Sequence, residues 1–214
     1  MYQRVIVVVE DEDLIRSLIA DSLENAGFRV ASAANAADAR RVIRNVDPDA
    51  VVLDIDLGKG PNGFDIAEVL RREQKGVGIL FLTSLPDPRF AGHESTSINN
   101  GEAYINKSLI SESKILLDAL ETVLRNTNTE KFRHDLLTDR PLGNLSKTQI
   151  SVLTLLSEGK TNQQIADIRK RSLGATEGTI ARTLETLGIT SDLDVNGRVA
   201  AVRKYFSILK PSNK

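Results

Sequence analysis

The stretch VIVVVED (Val5 to Asp11) runs five β-branched residues directly into a pair of acids. Branching at Cβ suits a pleated surface better than a helix, and a run without polar alternation fits a strand covered on both faces. After it, Leu14, Leu18, Ile19 and Leu23 recur at helical spacing up to Gly27, where a helix end favours a left-handed residue. Strand and helix patterns then alternate. Arg29–Ala33 reads as a strand, Ala36–Val46 as a helix closed by Asp47-Pro48, and Ala50–Leu53 as a buried strand ended by Asp54. A Gly/Pro loop (Gly58, Gly60, Pro61, Gly63) leads to a helix at about 64–72. Gly78–Leu82 and Ala103–Ile105 give two more strands, and Ile115, Leu116, Leu120 and Leu124 mark another helix. Five such units predict an open parallel sheet with helices on both faces.

The fourth unit departs from the others, because LPDPRFAGHESTSINNG (85–101) is polar, holds two Pro and two Gly, and predicts a poor or mobile helix. Residues 126–144 carry Asn, Thr and charge with little periodicity and read as a linker with a short helix. From Leu145 the pattern is purely helical. Ser146 and Gln149 have capping-box spacing ahead of Ile150, Leu153 and Leu156; Thr161 opens a helix with Ile165 and Ile168. Another helix carries Ile180, Leu184 and Leu187, and a last one at about 195–206 carries Val195, Val199, Val202 and Phe206, which close the core or form a dimer seam. The expected domains are 1–125, a linker at 126–144, and an all-α domain at 145–214.

Charge separates the halves. Of 28 Lys+Arg and 29 Asp+Glu in 214 residues, 1–125 holds 14 basic and 20 acidic (net −6) and 126–214 holds 14 and 9 (net +5). An acidic module is joined to one that could face a polyanion. No Cys excludes disulfides and Cys-ligated zinc, and His93 and His134 alone make a His-rich metal site or a Ser-His-Asp triad improbable. The start MYQRVIVVVEDED is too short in its apolar run for a signal peptide, and no stretch approaches the roughly 20 apolar residues of a membrane span. A cytoplasmic protein without membrane contact is expected.

In an open parallel sheet, ligands bind beyond the carboxyl ends of the strands. Those ends hold Glu10 and Asp11, Asp54, Thr83 and Lys107. Converging carboxylates make a place for a hard divalent cation such as Mg²⁺, beside which a carboxylate can accept a phosphoryl group while a hydroxyl and an ammonium contact its oxygens.

These residues stand in VVVEDE (7–12), VVLDIDLG (51–58), FLTS (81–84) and AYINK (103–107), and in that order they resemble the receiver domain of two-component response regulators, a flavodoxin-like doubly wound (βα)5 fold. The resemblance covers residues 4 to about 125. It implies Asp54 as phosphoacceptor, and Glu10, Asp11, Asp54 and the backbone carbonyl of Asp56 as Mg²⁺ ligands. It implies Thr83 and Lys107 as the phosphate-sensing pair and Tyr104 as the aromatic that switches with Thr83. The Asp56 side chain, two positions past the acceptor, can overlook the phosphoryl group. The chain departs from the family where Ser108 replaces the usual Pro, and where the 83–107 segment is about two residues longer.

LSKTQISVLTLLSEGKTNQQIA (145–166) and LGATEGTIARTL (173–184) resemble the LuxR/NarL/FixJ-type helix-turn-helix. Aligned on Glu-Gly-Thr, Thr176 caps the recognition helix, residues near 177–186 enter a major groove, and RKRS (169–172) is surplus. An ungapped alignment puts Ser172 at the cap but places Arg169 and Arg171 where the family buries apolar residues, so Thr176 is the expected cap. The implied DNA contacts are Lys160, Thr161, Arg169, Lys170, Arg171, Thr179, Arg182 and Thr183. The whole reads as a response regulator that is phosphorylated by a histidine kinase, dimerises and binds double-stranded DNA. It is not a turnover enzyme. Two rivals are a receiver whose helical domain binds protein or RNA, and a Mg²⁺-dependent phosphohydrolase.

Overall fold

The computed structural model describes residues 3–109, 112–138, 142–189 and 195–209. Five parallel strands form one sheet in the order β2-β1-β3-β4-β5: β1 (Val5–Val9), β2 (Arg29–Ala33), β3 (Ala50–Leu53), β4 (Gly78–Thr83) and β5 (Ala103–Asn106). The crossovers contain α1 (Asp13–Asn25), α2 (Ala36–Val46) and α3 (Gly63–Glu73), and α4 (Ser113–Leu124) follows β5. The unbroken β1 run is buried throughout. Its even positions, Ile6 and Val8, join Val52, Leu80, Leu82 and Ile105 against Ile19 and Leu23 of α1 and Leu116, Leu120 and Val123 of α4. The alternate positions face the other way, where Phe81 meets Phe64 of α3 with ring centroids 5.0 Å apart.

Local chemistry sets the helix starts. Asn35 caps α2 through Asp38 N–H, and Asn62 with Asp65 forms a capping box at α3. In the fourth unit the expected helix is replaced by single turns of 3-10 helix, Pro88–Ala91 and Ser95–Ser97. Two prolines and a polar composition leave no apolar stripe to bury.

The stretch expected as a linker is structured instead. It carries 3-10 turns at Glu130–Phe132 and His134–Leu136, Phe132 is buried in the core beside α4, and Arg133 pairs with Tyr104 of β5 in a parallel bridge. Part of it also lies outside the described residues (139–141). The described chain forms two compact units: one runs up to Ser84 and resumes from Thr96 to Asp135, and the other comprises Leu85–Ser95 and the chain from Leu136 onward.

The second unit is built on α5 (Lys147–Ser157), α6 (Asn162–Ile168), α7 (Leu173–Thr186) and α8 (Val195–Leu209). Ser146 caps α5 through the box with Gln149, and Thr161 caps α6 with Gln164. Ile150, Leu153, Leu156, Ile165, Ile180, Leu184, Ala201 and Tyr205 make its core. Ile168, expected on the inner face of α6, is 54% exposed, and α8 turns Val199 and Phe206 outward while Ala201 and Tyr205 face in. Arg198 ties α8 to the α5–α6 turn through Asn162 Oδ1 and the Lys160 carbonyl, each at 2.6 Å. Among the described residues no helix is long and apolar enough to cross a membrane.

The start of α7 corrects the expected cap. Ser172 caps it, its hydroxyl accepting from Ala175 N–H, while Thr176 is fully buried with a hydroxyl that has no partner among the described residues. The arginines that argued against this register are accommodated at the turn: Arg169 is the C-cap of α6 and Lys170 takes φ 52°. Ser172→Ala is therefore expected to cost about 1 kcal/mol of helical-unit stability. Thr176→Val, which removes a stranded hydroxyl while keeping shape, is expected to be neutral or stabilising by about 1 kcal/mol. Urea unfolding followed by circular dichroism checks both.

Candidate phosphoacceptor site and nucleic-acid interface

Parallel register brings the strand ends side by side. Val9 pairs with Leu53, Leu53 with Phe81, and Thr83 with Asn106, so the residues that follow emerge along one edge. The backbone pairing continues past the strands, with Asp54 N–H bonded to Val9 O and Glu10 N–H to Ala33 O. At this edge one carboxylate oxygen from each of Glu10, Asp11 and Asp54 lies within 4.8 Å of the others. Lys107 Nζ stands 2.5 Å from Glu10 Oε2 and 2.7 Å from Asp54 Oδ2. Asp54 Oδ1 accepts from its neighbours' N–H groups, Ile55 at 2.6 Å and Asp56 at 3.3 Å.

Glu10 is 1% exposed and Asp54 5%. Burial, reinforced by the Asp54 charge and opposed by Lys107, raises the Glu10 pKa to about 7. Burial works against the charged Lys107, but the Asp54 and Glu10 carboxylates outweigh it and hold its pKa above the usual lysine value. Thr83 is wholly buried at the end of β4, and Tyr104 lies buried in β5, its ring centroid 6.4 Å from that of Phe81. Asp56 is exposed, its carboxylate accepting from Gly58 N–H at 3.4 Å. The structure thus gathers Glu10, Asp11, Asp54 and Lys107 at one point, with Thr83 on the adjoining strand end and Tyr104 in the core behind.

Two participants were not read from the sequence. Arg16 of α1 donates from Nη1 to Glu10 O at 2.7 Å and pairs through Nη2 with Asp13, pinning the turn that carries the acidic pair. Its signal was the Asp13/Arg16 spacing on one helix face. Gly63, the first residue of α3, approaches so closely that a Cβ there would lie 2.2 Å from Asp54 O and 2.9 Å from Ile55 Cα. The helix start is pressed against the backbone of Asp54.

The basic residues of the helical unit divide by exposure. Lys170, Arg171 and Arg182 are exposed and Lys160 is half-buried. Thr161 is exposed, its hydroxyl occupied by the α6 cap. Arg169 is half-buried, and burial together with Arg171 lowers its pKa. Thr179 and Thr183, expected as DNA contacts, are turned inward: their hydroxyls bond to Ala175 O at 2.9 Å and Thr179 O at 2.8 Å. Both lie on the buried face of α7 with Thr176, Ile180 and Leu184. The exposed residues of α7 are Leu173, Gly174, Ala175, Ala181, Arg182, Glu185 and Thr186.

Residues 6–124 match the response regulator receiver domain family, and the chain belongs to it. The match ends before the second unit, and the chain spans about a third to a half of the length of the first curated relatives it resembles. It is 37% identical over 82 residues to the transcriptional regulatory protein AfsQ1 of Streptomyces coelicolor, covering 38% of this chain and 36% of AfsQ1. It is 27% identical over 209 residues to the nitrate/nitrite response regulator protein NarP of Escherichia coli, covering 92% of this chain and 91% of NarP. Its fold is similar to RcsB from Salmonella enterica serovar Typhimurium, solved bound to promoter rprA with phosphomimetic BeF3−: TM-score 0.60, 18% identity, covering 92% of this chain and 99% of that one.

Gly63→Ala must displace the Asp54 backbone to make room for its methyl group. It is expected to slow phosphoryl uptake from acetyl phosphate at least tenfold while the chain stays folded, measured by intact mass against time and by circular dichroism.

Proposed function

We propose that the protein is a cytoplasmic transcription regulator that takes a phosphoryl group on Asp54 from a histidine kinase and binds double-stranded DNA as a homodimer. The observation that carries the reading is Asp54 itself: a carboxylate 5% exposed, at a strand end, beside two further carboxylates and an ammonium. Burying such charges is costly, and a purely structural site would be better served by apolar residues.

The donor set fits Mg²⁺, since three carboxylate oxygens within 4.8 Å offer the hard ligands that ion takes. Glu10, Asp11 and Asp54 would hold it with the Asp56 carbonyl, and when bound it neutralises charge on the phosphoryl oxygens. In the transfer, an Asp54 carboxylate oxygen forms the new P–O bond as the P–N bond to the kinase histidine breaks. Lys107, within 2.7 Å of Asp54, offers its ammonium to the incoming phosphoryl oxygens, and Thr83 offers a hydroxyl from the next strand. Arg16 and Gly63 keep the acids and the acceptor backbone in place. The chain acts by changing state rather than by turning over a substrate, so small phosphate esters are not hydrolysed repeatedly. In the helical unit, Lys160, Lys170 and Arg171 supply phosphate contacts and Arg182 the base contact, with Val199 and Phe206 on the outer face of α8 as the apolar seam between copies.

With Mg²⁺ and acetyl phosphate, intact mass is expected to show one phosphoryl adduct, absent in Asp54→Ala; an adduct that persists in this variant overturns the acceptor assignment. Because Glu10 must lose its proton to bind a cation, Mg²⁺ affinity is expected to rise as pH increases through about 7, with this step lost in Glu10→Gln, measured by calorimetric titration.

Binding to genomic DNA fragments is expected to weaken steeply with salt. Lys170→Ala or Arg171→Ala should each reduce the log–log slope by about 1, and Arg182→Ala should cost about 1–3 kcal/mol and relax sequence preference. Salt-insensitive binding would favour a protein partner.

A further inference from the structure

We propose, resting on the phosphoacceptor reading, that His134 is a positioning residue for Lys107: its ring holds the end of β5, and with it the turn that aims the ammonium at Asp54, only while the ring is uncharged.

β5 lies at the edge of the sheet, so groups on its outer side have no further strand to bond to. The segment after α4 supplies partners instead. Arg133 pairs with Tyr104 in a parallel bridge, and two residues further along β5 the Asn106 N–H donates to His134 Nδ1 at 3.2 Å. A backbone N–H can only donate, so Nδ1 must present its lone pair and the ring proton must sit on Nε2. His134 is half-buried and Asn106 only 7% exposed, so water is poorly placed to replace this acceptor.

Asn106 also shapes the turn that carries the lysine. Its Oδ1 accepts from Ser108 N–H at 2.9 Å and from Ser108 Oγ at 2.6 Å, and its Nδ2 donates to the Ser84 carbonyl at 3.5 Å. Lys107 therefore stands between two tied residues, and its Nζ reaches Glu10 Oε2 and Asp54 Oδ2. A misplacement of about 1 Å in such a site can slow a reaction by up to about 100-fold. His134 is itself fixed on both sides. Phe132 is buried in the core, and Asp135, fully buried, accepts from Arg133 Nε at 2.7 Å and Nη2 at 2.8 Å. Protonation of the ring thus acts on the Asn106 bond rather than by undocking the segment.

Burial lowers the His134 pKa below the usual histidine value of 6.5, and the adjacent Asp135 charge opposes this. Of the other charged groups nearby, Arg133 is paired with Asp135, Lys107 faces Glu10 and Asp54, Lys131 lies over the Phe132 ring, and Glu130 is exposed. The ring is neutral at neutral pH and the hold is complete there. It is lost as pH falls through the lowered value, when Nδ1 gains a proton and meets the Asn106 N–H donor to donor.

Two substitutions in the full chain test the role. His134→Asn offers an acceptor oxygen that does not titrate, and His134→Leu offers none. Phosphoryl uptake from acetyl phosphate with Mg²⁺ is followed by intact mass across pH. The ratio of wild-type to His134→Asn rates is expected to be near 1 at about pH 8 and to fall about threefold by about pH 5.5; Glu10 titrates in both proteins and cancels. His134→Leu is expected to be about threefold slower than wild type at about pH 8, with unchanged circular dichroism. A ratio that is constant with pH, or a folded His134→Leu as fast as wild type, overturns the positioning role. Independently of uptake, the Asn106 amide NMR signal is expected to titrate together with the His134 ring signals and to lose that step in His134→Asn. An Asn106 signal that ignores the ring overturns the hold. If the wild type takes up no phosphoryl group, the acceptor reading fails and the positioning role with it, and the Asn106 signal alone decides whether His134 holds β5.

Discussion

Two carboxylates almost without solvent, Glu10 and Asp54, share one lysine at the edge of a parallel sheet, and much else in the chain answers to that arrangement. Parallel strands must be joined by crossovers, so all their carboxyl ends gather on the same side. Charges brought together there need both an opposite charge and a fixed backbone. Lys107 supplies the first. The second comes from Arg16 pulling on the Glu10 carbonyl and from Gly63 letting α3 press against the Asp54 backbone. Burial raises the Glu10 pKa to about 7 although Lys107 opposes it.

The helical unit solves a different problem. Its first two helices begin at capping boxes and its third at a serine cap, so their starts are set locally, while Arg198 holds the fourth to the α5–α6 turn. Its exposed cations lie around the α6–α7 turn, at Arg182, and at Arg203 and Lys204 of α8, and the open face of α7 otherwise carries Leu173, small or polar side chains and one acid. Such a surface follows a phosphate backbone more readily than it reads base edges. The two units are also more closely entwined in chain order than two successive domains would be, because Leu85–Ser95 leaves the first to join the second.

Much of this was legible in residue order. The β1 run and Asp54 after a buried apolar run both announced their places, and the Ser146/Gln149 spacing and Thr161 marked helix starts correctly. The misreadings share a cause. Thr176 and Ser172 are both acceptable caps by residue type, and the choice between them depended on whether Arg169 could be tolerated in a half-buried turn. Thr179 and Thr183 fall on the buried face of α7 with Thr176, Ile180 and Leu184, which the type of residue alone did not announce. Phe132 likewise gave no periodic signal in its polar surroundings, although it closes the core beside α4.

The sequence alone determined the alternation of strands and helices, the acids and the lysine at the strand ends, and the division of charge between the halves, because these follow from local pattern and from a period of two or 3.6. Only the tertiary structure decided which threonines face inward on α7, that Gly63 abuts the Asp54 carbonyl, and that Arg89 binds carbonyls more than fifty residues away. Those depend on which surfaces meet, and no local spacing encodes a contact between a 3-10 turn at residue 89 and the entry to a helix at residue 147.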